Sequence, residues 1–152
     1  MSVEALTPEQ VSQWCKRLPE VQELTNAAAA DLLPLRESLG PSLWGTAVHA
    51  RLHSAIQGLR LRFPIAYHNV YPELSIDAGE ADGRTSSGPR YGQPGSTRLD
   101  ILEDVGPELI CVYDIKTGSS GLTPSRVRVI ADRVSSRYPG ASFYILEVRP
   151  FE

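Results

Sequence analysis

The chain has 152 residues, 41% of them hydrophobic, and a net charge of −3; these are the proportions of one compact domain that can bury a core without metal or disulfide support. No apolar run approaches the roughly 18–20 residues that span a bilayer, the N-terminus has no basic stretch followed by an apolar core as in a secretory signal, and the acidic balance argues against a general nucleic-acid coat. Of the 15 basic residues only Lys16 and Lys116 are lysines, so Lys116 stands out in a C-terminal half whose other cations are arginines.

In chain order, Thr7-Pro8-Glu9-Gln10 supplies an N-cap, a proline at the first helical position and a capping-box glutamine. Val11, Trp14, Cys15 and Leu18 continue at helical spacing. A second helix is expected from about Val21 to Leu39, kinked near Pro34 and ended by Gly40-Pro41. A third runs from Ser42 to about Leu59, with Val48, Leu52, Ile56 and Leu59 as its apolar stripe. Ile65–Tyr71 and Glu73–Ile76 read as extended, with Pro72 implying an edge position or a bulge.

The segment 77–96 is rich in Gly, Ser, Asp, Arg and Pro and reads as a long exposed loop. Two strands follow, Thr97–Glu103 and Leu109–Lys116, joined by the turn Asp104-Val105-Gly106-Pro107. Thr123-Pro124 opens a capped helix, Pro139-Gly140 stops it, and Ala141–Arg149 is the last strand. This order gives an α/β fold with a mixed sheet flanked by helices, residues 1–40 forming an N-terminal helical segment packed on a core of residues 41–152. Cys111 reads as a packing residue in a buried strand, and no disulfide with Cys15 or metal site is expected.

Leu109–Tyr113 is apolar or aromatic without alternation, as in a central strand covered on both faces. Charges then appear at Asp114 and Lys116, which the two-residue strand period puts on one face. A carboxylate and an ammonium at the edge of a dry core need compensation. Asp100 shares a face with Arg98, while Leu99 and Ile101 take the other. A hairpin closing around Gly106 sets Asp100 opposite Val112 and diagonal to Asp114, roughly 7–8 Å apart; a one-residue slip would part them. Two carboxylates at that separation suit a divalent ion.

Arg98-Leu99-Asp100, a hairpin, then Asp114-Ile115-Lys116 resembles the D…(D/E)-x-K signature of the PD-(D/E)xK nuclease superfamily. Gly95-Ser96-Thr97-Arg98-Leu99-Asp100, Val112–Gly118, Leu122-Thr123-Pro124 and Glu147-Val148-Arg149-Pro150 together resemble the restriction-endonuclease-like toxin domains of bacterial polymorphic toxins and secretion-system effectors, over about residues 42 to 150. The usual Pro before the first Asp is replaced by Arg98-Leu99. The resemblance implies a metal-dependent nuclease, DNA being favoured over RNA. Asp100 and Asp114 with the Ile115 carbonyl would bind Mg²⁺, or Mn²⁺, and Lys116 would position or help deprotonate the attacking water. Glu73 is the best match for a further acidic residue, with Glu80 and Glu103 as fallbacks. A cognate immunity protein and delivery into the cytoplasm of a target cell follow from the same likeness; that the chain stops right after its last strand favours a cut-out C-terminal domain over a natural protein beginning at Met1. A housekeeping or mobile-element nuclease, or an inactive nuclease-fold binding module, are the alternatives; a stand-alone nuclease would be cytoplasmic.

His49 and His53 stand four apart on the third helix, a spacing that can bind Zn²⁺, but no third ligand accompanies them. The resemblance gives His49 a supporting role beside the site, not a metal bond. Arg126, Arg133 and Arg137 share a helix face, of which Arg126 is placed to meet a phosphate, as is Arg98. Arg84, Arg90 and Tyr91 in the loop are candidates to track a backbone or stack on a base.

Overall fold

The computed structural model describes residues 7–77, 96–106, 108–119 and 121–151, with the side chains of residues 8, 73–77 and 96–98 also left out. Within it lie α1 (Pro8–Ser12), α2 (Leu18–Leu32), a 3-10 turn (Leu33–Leu35), α3 (Arg36–Arg62), α4 (Pro64–Tyr67), β1 (Val70–Asp77), β2 (Ser96–Gly106), β3 (Leu109–Ile115), α5 (Pro124–Arg137) and β4 (Ser142–Val148). The fold is mixed α/β. The strands form one sheet in the order β1-β2-β3-β4, antiparallel up to β3 and parallel between β3 and β4.

Helix starts follow their local chemistry. The capping box at Thr7 forms, with the Gln10 N–H on Thr7 Oγ1 at 3.2 Å and the Thr7 N–H on Gln10 Oε1 at 2.8 Å. Thr123 Oγ1 accepts the Arg126 N–H at 3.2 Å to start α5. α1 is nevertheless one short turn, ending at Ser12, and α2 begins at Leu18, so the expected run through Leu18 is two elements. The kink near Pro34 is the 3-10 turn. Gly40, at φ 78°, breaks the next helix where Gly40-Pro41 predicted a stop, but helix flanks it on both sides, from Arg36 to Arg62. Ile65–Tyr67, expected extended, is the short helix α4, for which Pro64 supplies a fixed φ at the first turn. Pro72 sits within β1, at the sheet edge, where a missing N–H is tolerated.

β3 is buried along its length after Leu109 and divides two cores. On one face Ile101, Cys111, Tyr113 and Ile115 pack under Val21, Leu52 and Ile56 of the N-terminal helices. On the other, Leu102, Ile110 and Val112 pack under Ile130 and Val134 of α5. Ala28 and Ala29 of α2 let Trp44 and Val48 of α3 approach closely, and the Trp44 indole N–H caps the Leu32 carbonyl at 2.9 Å.

The cysteine reading is overturned. Cys15 and Cys111, 96 residues apart and both fully buried, form a disulfide that ties the segment after α1 to the central strand. The fold supplies the proximity, with Cα atoms 5.9 Å apart; two cysteines in unlike segments carried no such signal. Closing so long a loop constrains the unfolded chain, an effect of about 4–5 kcal/mol in the chain-entropy model for loops near 100 residues.

Candidate active site

The hairpin register differs from the expected one. β2 turns through an irregularity between Asp104 and Gly106, and Leu102 pairs with Val112 and Ile101 with Tyr113. The pairing is shifted by two residues from the expected one and ends at Ile101–Tyr113, one residue short of Asp100. The side-chain alternation of β2 breaks at this point: Ile101 belongs to the core beneath α2 and α3, while Leu99 belongs to the core beneath α5. Asp100 lies at the break, and its Oδ2 accepts the Ile115 N–H at 2.7 Å. A carboxylate thus takes a backbone donor at the end of the central strand.

Asp114 is 2% exposed. Its Oδ2 lies 3.1 Å from Lys116 Nζ and its Oδ1 3.5 Å from Arg126 Nη2. The two-residue strand period supplies the lysine and the first turn of α5 supplies the arginine. Oδ2 is buried yet accepts no directed hydrogen bond, and such an oxygen in a native core calls for an explanation.

His49 arrives from α3, on the opposite side of the sheet. Its Nδ1 lies 2.7 Å from the Gly45 carbonyl and its Nε2 3.0 Å from the Ile115 carbonyl. A carbonyl oxygen can only accept, so both contacts are hydrogen bonds when the ring is the imidazolium. The Asp100 carboxylate, 3.6 Å from Nε2, is the largest influence and pushes the His49 pKa up to about 9 against the effect of burial. α3 comes this close because residue 45 is glycine: a Cβ there would stand 2.6 Å from Thr117 Oγ1.

These groups line one cleft of about 290 Å³, walled by His49, Asp100, Asp114, Ile115, Lys116, Thr117, Gly118 and Arg126. Three cations face two carboxylates, so the cleft is locally positive although the chain carries −3. Six residues singled out from sequence meet here: Asp100, Asp114, Ile115, Lys116, Arg126 and His49.

Glu73 lies opposite Asp100 in the register, between the pairs Pro72–Ile101 and Leu74–Leu99, and its side chain is outside the described residues. The Arg98 side chain, the loop residues Arg84, Arg90 and Tyr91, and Glu80 are outside them too. Glu103, a fallback candidate, is buried away from the cleft, where it accepts the Tyr113 hydroxyl at 2.7 Å. His53 does not line the cleft, and among the described residues no group of three or more His, Cys, Asp or Glu is placed to hold a metal ion. The sequence reading missed Thr117 and Gly118 as cleft walls, and it missed the role of Gly45, whose only signal was a glycine one turn before His49.

Comparison with protein-family models, with curated proteins and with solved structures finds no match to this chain. The likeness to PD-(D/E)xK nucleases therefore rests on the sequence pattern alone.

Proposed function

We propose that the chain is a restriction-endonuclease-like, Mg²⁺-dependent nuclease, with DNA as the favoured substrate, acting as the toxic domain of an interbacterial effector. The observation that carries this reading is Asp114: a buried carboxylate with one oxygen free of directed hydrogen bonds, beside Asp100 and Lys116 in a positive cleft. The donor set fits a hard cation. Asp114 and Asp100 offer carboxylate oxygens and Ile115 a carbonyl, and Mg²⁺ commonly takes only one or two carboxylates together with water and substrate phosphate. When bound, the ion would polarise the phosphodiester and lower the pKa of a coordinated water.

The chain's own part is positioning and charge. Lys116, held by Asp114, donates Nζ protons to a non-bridging phosphate oxygen and to the attacking water. Arg126 and the His49 imidazolium add positive charge where the phosphate gains negative charge. In the hydrolysis, a water oxygen bonds to phosphorus and the bond to one sugar oxygen breaks. One water proton leaves to solvent and the departing oxygen takes another.

A second reading has its own support. Asp114 already has two cationic neighbours, and His49 already donates to the Ile115 carbonyl, which suits a phosphate-binding module without hydrolysis. The toxin assignment and its immunity partner rest on the sequence likeness. The disulfide supports a delivery route through an oxidising space, since such bonds seldom form in a reducing cytosol. No helix among the described residues is long and apolar enough to cross a membrane.

Incubating the purified chain with plasmid DNA and total RNA, with Mg²⁺ or with EDTA, beside Asp114→Asn and Lys116→Ala, separates these readings. Mg²⁺-dependent cleavage lost in both variants is expected. Cleavage that survives EDTA, or variants equal to the parent, would overturn the mechanism; tight oligonucleotide binding without cleavage would favour the binding module. Loss of RNA but not DNA would reassign the substrate.

A further inference from the structure

Glu147 and Arg149 lie outside the cleft lining, yet they grip the segment that forms one of its walls. Glu147 is next to Asp114 across the β3–β4 pair, and its Oε1 accepts the Leu122 N–H at 2.6 Å. Its Oε2 pairs with Arg149 Nε at 3.2 Å, and Arg149 Nη1 donates to the Gly118 carbonyl. The two side chains therefore hold the connection between β3 and α5 near both of its ends. Gly121 brings the backbone close to this carboxylate, where a Cβ would stand 2.7 Å from Glu147 Oε1. On the other side, Gly45 of α3 presses against Thr117, and the Lys116 N–H is held by the Val148 carbonyl at 2.9 Å.

The consequences reach both cationic walls. Gly118 is two residues from Lys116. Leu122 immediately precedes Thr123, the N-cap of α5, so the Glu147 bond anchors the chain one residue before the helix that carries Arg126. The Leu122 N–H, ahead of the Arg149 guanidinium, holds the Glu147 carboxyl below its ordinary range, so the grip is ionic at neutral pH.

We propose that Glu147 and Arg149 are positioning residues of the nuclease site, holding Gly118 and Leu122 so that Lys116 and Arg126 converge on Asp114; this rests on the nuclease reading of the cleft. They touch no substrate. Their effect passes through the backbone of Gly118 and Leu122, where a displacement on the order of 1 Å can cost about a hundredfold in rate.

The test uses Glu147→Ala, Glu147→Gln and Arg149→Ala in the full chain. Each is assayed below its melting temperature for kcat and KM on DNA, and its lysines are read by NMR after ¹³C reductive methylation. Lys16 serves as internal reference for Lys116, the only other lysine in the chain. The expected result is a fall in kcat of about 10- to 100-fold for both alanine variants, with the Lys116 signal moved and Lys16 unmoved. Glu147→Gln keeps an acceptor for Leu122 and falls between. Folded alanine variants with the parent's kcat, or a kcat loss with the Lys116 signal in place, would overturn the proposal. If the parent itself does not cleave, the nuclease reading fails, and the Lys116 signal alone decides whether the grip exists.

Discussion

Two buried carboxylates on adjacent strands meet opposite fates. Glu103 of β2 is 5% exposed and accepts the Tyr113 hydroxyl, with the Arg17 guanidinium nearby; burial raises its pKa above the ordinary carboxylate range. Around it the chain is closed, since Arg17 also lies over the Tyr67 ring and pairs with Glu20, and the disulfide binds Cys111, the register partner of Glu103. Asp114 of β3 is buried as deeply but opens on a cleft, has charged neighbours in place of a hydroxyl, and keeps one oxygen without a directed bond. Burial alone therefore does not mark a site. What separates the two is that Glu103 is met by a hydroxyl in a closed interior, while Asp114 is met by cations at the wall of a cleft.

That contrast breaks first at Asp114. Asp114→Asn should lower the initial rate of plasmid cleavage by about a hundred- to a thousandfold, the scale of losing one electrostatic contact in the transition state, here through the ion that Asp114 would hold. Its melting temperature should stay near the parent's, because Lys116 and Arg126 are partly exposed and water can solvate them once the carboxylate is gone. A collapse in stability matching the loss of rate would make Asp114 a second Glu103. At the closed end the expectation is reversed. Replacing Cys15 and Cys111 together by alanine should lower unfolding free energy in urea by about 4–5 kcal/mol, with the cleavage rate of the folded protein unchanged.

How much of this was legible follows the range of each interaction. The Thr7 and Thr123 caps, the Gly40 break and the buried run of β3 are set within a few residues, and they stand as the local chemistry dictates. Asp114 and Lys116 share a face because strand geometry requires it. The expected Asp100 register missed a turn whose irregularity at Asp104–Gly106 moves the pairing by two residues, and a break in alternation between Leu99 and Ile101; Asp100 reaches the site through its bond to the Ile115 N–H. The disulfide depends on bringing together positions 96 residues apart, and the Glu147–Arg149 grip on the loop preceding α5; no local pattern encodes either. His49 was placed beside the site by likeness, while its two carbonyl partners emerge only when α3 crosses the end of β3.

A smaller effect tests whether the closed network is purely structural. Tyr113→Phe removes the hydroxyl that Glu103 accepts and should cost about 1–3 kcal/mol in urea unfolding, the penalty for a buried group left short of a partner. Its kcat should remain within about twofold of the parent, since the ring still packs among Ile101, Cys111 and Ile115. A large fall in kcat at full stability would tie this network to the cleft and dissolve the distinction between the two carboxylates.

The smallest effect is expected from pH. In metal-free protein His49 has a pKa of about 9, above its ordinary value of 6.5, because of Asp100 and in spite of burial. A group whose pKa is raised on folding gives stability that is fully present below the unfolded value and lost as pH climbs through the folded one. Unfolding free energy in EDTA should therefore be flat with respect to His49 below about pH 6.5 and decline toward pH 9. The cleft is open to solvent, which weakens the pairing and keeps this slope modest. Urea titrations of parent and His49→Gln at pH 6 and pH 9.5 measure it: the difference between the two proteins should shrink at the higher pH. A difference that stays constant would mean that His49 is held by its two carbonyl contacts alone, with the Asp100 charge contributing nothing to the fold.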